Sequence, residues 1–319
     1  MDISLTKTKR SRLAPWKNFR SAWSRKHREE TLMGYLLILP ALVLFLVFGI
    51  YPFLRTIIFS FTSWDGISST FISVGWKNYV TAFTGDDLWW KSIQNGVFFA
   101  VTALIFMNSI ALALALAVDQ NIRGKSIYRA IFYIPTILSG VVVAIIWKWL
   151  FQPVGGPINQ LLITFGLGSF VHAWLADSNT VRWAVAIASM WMGMGNPFLL
   201  FLAGLQSVPI ELYEAGRIDG ASEFQLFWNI TLPFLIPVAT ILSVLTILGA
   251  MQIFNLVLAM TNGGPGSATE VPVLHIYREA FKYAHFGYAT ALSLIFGMLL
   301  FTISLFQMWL SRKIGIRSA

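Results

Sequence analysis

From Met33 to Leu54 the chain reads MGYLLILPALVLFLVFGIYPFL, without one charged side chain. A helix needs about 20 apolar residues to cross the hydrocarbon core of a bilayer, and a run of this length meets that need. Inside hydrocarbon every backbone polar group must be satisfied internally, so only helices and closed barrels span it. A barrel would read as alternating segments of about 10 residues, and this run does not alternate. Five further runs follow, at about Ser92 to Val118, Ala130 to Trp147, Val181 to Leu205, Leu232 to Met260 and Ala289 to Leu310. The expected fold class is therefore all-α, a polytopic membrane protein with six transmembrane helices.

Composition supports that class. Charged residues make up 12% of the 319, against roughly 25% in soluble domains, and mean hydropathy is +0.68. There is no cysteine, which excludes disulfides, thiolate metal sites and cysteine nucleophiles. The first apolar run starts near Leu32 after a long polar leader, so it reads as a retained span rather than a signal peptide.

Lysine and arginine set the expected orientation. Lys7, Lys9, Arg10, Arg12, Lys17, Arg20, Arg25, Lys26 and Arg28 crowd the leader, residues 1–31. Arg123, Lys125 and Arg129 follow the second span, Arg217 follows the fourth, and Arg312, Lys313 and Arg317 lie in or beside the tail, residues 311–319. Sixteen of the 23 basic residues thus fall on one side. That side is expected to be cytoplasmic, with both termini inside. The leader suits topology and attraction to anionic lipid better than nucleic-acid binding. On the other side lie Trp64, Trp76, Tyr79, Trp89 and Trp90, residue types that favour membrane–water boundaries. PINQLLITF predicts a short helix opening at Pro157, and TNGGPGS predicts a turn.

Much chemistry is missing. No G-x-x-x-x-G-K-[ST], H-E-x-x-H or G-x-S-x-G occurs. None of the four histidines is paired at metal-ligand spacing, and His172, His275 and His285 read as solvated or interfacial. No Asp, Glu, Lys or Arg sits centrally in a span. Ion-coupled carriers usually need such residues, so an uncharged cargo fits better.

One inner loop opposes the basic trend: Glu211, Glu214, Asp219 and Glu223 face only Arg217. Pro209 suits the first turn of a helix, and Glu211 and Glu214 suit its positive end. Glu214 and Arg217 are an i,i+3 pair. Asp219-Gly220 reads as a helix stop, and Ser222 to Gln225 as a capping box opening a second helix. Taken alone this is a solvated amphipathic linker.

The spacing of EAGRIDGASEFQLFWNITLP says more, because it resembles the EAA loop of ATP-binding-cassette (ABC) importer permeases. That pattern is E-A-A, three residues, G, nine residues, then I-x-L-P. Here Glu214, Ala215 and Gly216 precede Gly220, and Ile230 to Pro233 close the pattern. Only Gly216 departs, at a cost of about 1 kcal/mol relative to Ala in a helix or in favour of tighter packing. PIELYEAGRIDGAS, FNLVLAMTNGGP, IYREAF, FGYATALSL and FYIPTILSGVVVAIIWKWLF are similar to carbohydrate importers of the maltose and glycerol-phosphate type, in their MalF-like subunits.

That resemblance implies a MetI-like permease fold over residues 32–310, with a cytoplasmic coupling loop at 207–231. It implies a non-enzyme subunit in a bacterial or archaeal inner membrane. Its partners would be a homologous second permease, two ATPases carrying ATP and Mg, and an external sugar-binding protein, with no cofactor in this chain. Glu214, Ala215, Gly216, Arg217, Asp219 and Gly220 would form the ATPase contact, and a sugar or oligosaccharide would cross by alternating access. Asn196, Gln252 and Asn255 are candidate path residues, with Trp191 and Phe254 as walls. Gln252 and Asn255, three apart, are expected on one helix face. Asn108 reads as an interhelical hydrogen bond. A non-sugar cargo such as glycerol phosphate, or an amino acid, is the nearest alternative. A self-sufficient secondary transporter or channel, or a membrane enzyme, fits less well.

Overall fold

Each long apolar run becomes helix in the computed structural model, which describes residues 16–120 and 122–313, with side chains from 30 to 310. Lys7, Lys9, Arg10 and Arg12 of the leader and Arg317 of the tail therefore lie outside the described residues, as do the side chains of Lys17 to Arg28, Arg312 and Lys313. The chain divides into two units after Ile58.

The described residues of the first unit form one long helix. α1 (Trp16–Phe45) passes through a π turn (Leu46–Ile50) into α2 (Tyr51–Phe59). Glu30–Phe59 is long and apolar enough to span, a few residues wider at each end than its apolar run. Pro52 lacks an N–H and its ring crowds the carbonyl four residues back. Just before it the ladder slips to i→i−5, with Tyr51 N–H on the Leu46 carbonyl. The same device recurs at Pro233, where Leu232 N–H reaches Phe227 after a π turn at Phe227–Thr231. A π turn widens the helix, which makes room for a proline ring.

The second unit holds the remaining helices. α3 (Lys77–Thr84) precedes α4 (Asp87–Thr102), which continues through a π turn (Ala103–Met107) into α5 (Asn108–Asp119). α6 (Lys125–Ile137) and α7 (Gly140–Leu150) meet at 101°. The third run is thus not a straight span. Leu138 is extended and Ser139 caps α7 through Val142 N–H, so the helix restarts there. α8 (Pro157–Thr164) opens at its proline, as its sequence predicts. α9 (Val181–Gly193) and α10 (Gly195–Gln206) bend by 47°. α11 (Ile210–Ile218) and α12 (Glu223–Leu226) carry the acidic loop, and α12 runs on into α13 (Leu232–Met251). α14 (Asn255–Met260), α15 (Pro272–Tyr277) and α16 (Phe286–Lys313) complete it. Among the described residues four helices are long and apolar enough to cross a membrane, and counting each bent pair as one span brings the number to six. The fifth run ends at Met251 rather than Met260, because the helix breaks over residues 252–254.

Packing follows residue size. Ala111 and Ala115 of α5 are fully buried against Phe198, Phe201, Leu202 and Leu205 of α10. In lipid, helices gain little from burying apolar area against each other, so small residues that allow close approach hold them. A second cluster joins α4, α7, α9 and α14, and a third joins α3, α4, α13 and α16.

Candidate functional sites: the acidic loop and the central cavity

The acidic loop is built by its turn chemistry. Gly220 takes φ +81°, which favours glycine. Ala221 N–H donates to Gly216 (2.9 Å) and Gly220 N–H to Arg217 (3.1 Å), a Schellman closure of α11. Ser222 and Gln225 form the reciprocal capping box. Pro209 stands one residue before α11, as its N-cap. Arg217 does not pair with Glu214; its guanidinium reaches Glu223 at 3.2 Å. The reversal at Gly220 brings the start of α12 back beside the last turn of α11. Both partners are largely exposed, so the pair is worth at most about 1 kcal/mol. Glu214 is exposed, as are Ile210 and Ile218, four residues to either side of it on α11, and Phe224 on α12. A Cβ on Gly216 would stand 2.6 Å from Leu226 Cδ2, so this glycine serves close packing of α11 on α12.

The breaks in three runs converge on one cavity of about 550 Å³. Its lining includes Ser189, Met192 and Gly193 of α9, Asn196 of α10, Thr246 and Gly249 of α13, and Gln252 to Leu256. The bend at Gly195 is fixed from outside: its N–H donates to Thr136 Oγ1 (3.0 Å) and a Cβ there would strike the same atom. Gly140, first residue of α7, lies against Asn255, where a Cβ would come within 3.2 Å of the Asn255 Cβ. Asn196, Gln252, Phe254 and Asn255 therefore meet at the cavity. Gln252 and Asn255 do so across a broken backbone, not on one helical face, since Phe254 has φ −137° and ψ −65°. Trp191 is absent from the lining; it packs edge-on against Trp147, ring centroids 6.0 Å apart. Asn108 accepts from Thr246 Oγ1 at 3.2 Å, the expected interhelical bond. The lining carries no Asp, Glu, Lys, Arg or His.

Two charged clusters at the other end of the bundle were not visible in the sequence. Asp86 caps α4 through Trp89 N–H (2.8 Å) and accepts from His275 (2.9 Å) and Tyr288 (2.6 Å). Burial pushes the Asp86 carboxyl up, but these three bonds outweigh it and hold it below the usual range. His275 is thus buried, not solvated. Glu270 is fully buried and bonds Arg278, whose guanidinium also reaches the Asn262 carbonyl. Burial pushes Glu270 up, and Arg278 opposes that rise. The TNGGPGS turn is closed by four consecutive-region residues in left-handed backbone, Asn262, Gly263, Gly266 and Ser267. Lys91 Nζ donates to the Gly266 carbonyl (2.7 Å) and Asn95 to that of Glu270 (2.8 Å).

Comparison with known proteins adds the following. The family model described as "Binding-protein-dependent transport system inner membrane component" matches residues 109–316. The chain is 33% identical over 282 residues to a probable ABC transporter permease, YurN, of Bacillus subtilis, covering 88% of this chain and 96% of that one. It is 33% identical to the multiple sugar-binding transport system permease MsmF of Streptococcus mutans, covering 89% and 96%. Its fold superposes on a chain of a bacterial ABC transporter that imports the acidic polysaccharide alginate, with TM-score 0.77, 24% identity and coverage of 92% and 99%.

Proposed function

Because the chain belongs to the family of binding-protein-dependent transport system inner membrane components, we propose that it is one permease subunit of an ATP-driven sugar or oligosaccharide importer. A second permease, two ATPases and an external binding protein complete the complex, and this chain sits in a bacterial or archaeal inner membrane with both termini cytoplasmic. The observation that carries the reading is the rigid α11–α12 turn. It leaves Glu214 and Asp219 exposed together with Ile210, Ile218 and Phe224. Exposed Ile210 and Ile218 stand four residues to either side of Glu214 on α11, and a charged group flanked by apolar side chains suits insertion into a cleft on a partner, where charge fixes register. Closure of two ATPases then moves α11 and the helices attached to it as a rigid body, switching the cavity from one side to the other.

The cavity supports a neutral, hydroxyl-rich cargo. Three amides and the Phe254 ring offer hydrogen bonds and a flat apolar face, and its volume suits a small ligand. The lining holds no cationic side chain for a phosphate, which disfavours glycerol phosphate. It also holds no ionisable relay, which disfavours self-sufficient ion-coupled transport.

The test is Glu214→Lys in the assembled complex. Ligand-stimulated ATP hydrolysis and uptake should be lost while the two permeases still co-purify. Unchanged docking and uptake would remove Glu214 from the coupling contact.

A further inference from the structure

Phe254 is one end of a chain of rings that leaves the cavity. Its centroid lies 5.2 Å from that of Tyr277, which lies 5.2 Å from Phe281, which lies 5.3 Å from Phe286. Trp64 follows, 5.7 Å from Phe286. The rings come from four separate stretches: the break after α13, the end of α15 and its π turn, the start of α16, and the segment before α3. They run from the cavity to the end of the bundle opposite α11.

Ordinary core packing does not account for them, because Tyr277 is 40% exposed and Phe281 68% exposed. Nor does lipid contact within a span, because the π turn Arg278–Lys282 lies between the apolar helices. The rings are also held from behind. Arg278 is tied to buried Glu270 and to Asn262, which fixes the opposite side of the turn that carries Tyr277 and Phe281. At the far end Gly66, at φ +88°, lies directly on the Phe286 ring, and Gly287 N–H donates to the Trp64 carbonyl at 2.8 Å.

We propose that Phe254, Tyr277, Phe281, Phe286 and Trp64 form an aromatic track along which successive sugar rings of an oligosaccharide stack on their way into the cavity. The inference rests on the sugar-importer reading above. Pyranose rings present an apolar C–H face that packs on an aromatic face, while their hydroxyls stay in water. Steps of 5.2 to 5.7 Å between ring centroids are close to the length of one sugar ring, and successive rings tilt by 37° to 78°, so a chain that turns at each step can pass from ring to ring. A monosaccharide needs only the cavity. A longer chain gains from the track, so the track selects for length.

The experiment uses the whole transporter, reconstituted with its partner subunits and binding protein. Uptake is measured for neutral maltooligosaccharides and cellooligosaccharides from disaccharide to hexasaccharide. Phe281→Ala and Tyr277→Ala should each lower uptake of the longest accepted chain by about three- to tenfold, the size of one aromatic contact. Uptake of the shortest accepted chain should change less than about twofold. Phe281→Trp should keep the wild-type length profile. Phe165→Ala, removing a ring 75% exposed outside the track, should keep it too. Equal loss at every length, or no loss at any, would overturn the track while leaving the sugar reading standing. Failure of the Phe281→Ala subunit to co-purify with its partners would assign the ring to a subunit interface and also overturn it. If the wild-type complex takes up no saccharide of any length but moves another solute, the sugar reading itself falls and the track with it.

Discussion

The Tyr288 hydroxyl donates to Asp86 at 2.6 Å across 202 residues of chain, tying the start of α16 to the cap of α4. His275 donates to the same oxygen from α15, so one carboxylate joins three helices at one end of the bundle. Asp86→Ala removes a helix cap and leaves two buried donors unmatched. The expected cost is about 3 kcal/mol, read as a lower thermal midpoint in nanodiscs. Asp86→Asn keeps the cap and should cost less. The folded Asp86 titrates below its ordinary value of 3.8, so its contribution is present above that value and is lost as pH falls beneath it. An acid titration of the Asn variant should lack that component.

Glu270 and Arg278 should respond asymmetrically. Glu270 is fully buried and Arg278 is 19% exposed, so the carboxylate has no route to water when its partner is removed. Arg278→Ala should cost about 3–5 kcal/mol, and Glu270→Gln clearly less. Burial raises the Glu270 carboxyl above its ordinary 4.5, and loss of Arg278 raises it further. The folded state then holds a proton that the unfolded state releases, so the Arg278→Ala defect should shrink as pH is lowered towards 4.5. A defect that is constant with pH would show that Glu270 is already neutral in the wild type.

Gly216 makes a packing prediction. Alanine there gains about 1 kcal/mol in helix propensity, but its Cβ would press on Leu226 Cδ2. Gly216→Ala alone should therefore loosen α12 against α11, seen as faster amide exchange in residues 221–226. Adding Leu226→Ala removes the obstructing methyl, and the double variant should recover the exchange rates, a coupling of about 0.5–3 kcal/mol.

Local rules carried the acidic loop almost whole. The stop at Gly220 and the box from Ser222 to Gln225 depend on residues within four positions, so sequence displays them. The pairing of Arg217 escaped because Glu223 becomes its neighbour only after the chain has reversed. The spans were legible by length and hydropathy, but their breaks were not. Ser139-Gly140 is a turn dipeptide that a continuous apolar run concealed, and the break at residues 252–254 contains no Gly or Pro at all. Just beyond that break α14 packs on α7, with Asn255 against Gly140. The Asp86 cluster was hidden for the same reason, its partners lying 189 and 202 residues away. Four of the five proposed path residues meet at the cavity. Trp191 does not, because residue type was read without the helix face that the bend at Met194 turns towards α7.

Two glycines separate the position of Asn255 from the space around it. Asn255→Ala should weaken transport by about three- to tenfold in half-saturation, the value of one hydrogen bond to a neutral group. Gly140 lines the cavity beside Asn255, and an added Cβ would stand 3.2 Å from the Asn255 Cβ and 3.3 Å from the Leu256 nitrogen. Gly140→Ala should therefore displace the first turn of α14 and lower transport in the same direction as Asn255→Ala. Gly249 also lines the cavity, but an added Cβ there meets nothing within 4 Å. Gly249→Ala takes up free volume without moving any backbone. If binding depends on where the broken helix places Asn255, Gly140→Ala should impair uptake of even the shortest cargo, whereas Gly249→Ala should affect only the bulkiest. If both act alike across cargo sizes, cavity volume governs uptake, and the break between α13 and α14 has no positioning role.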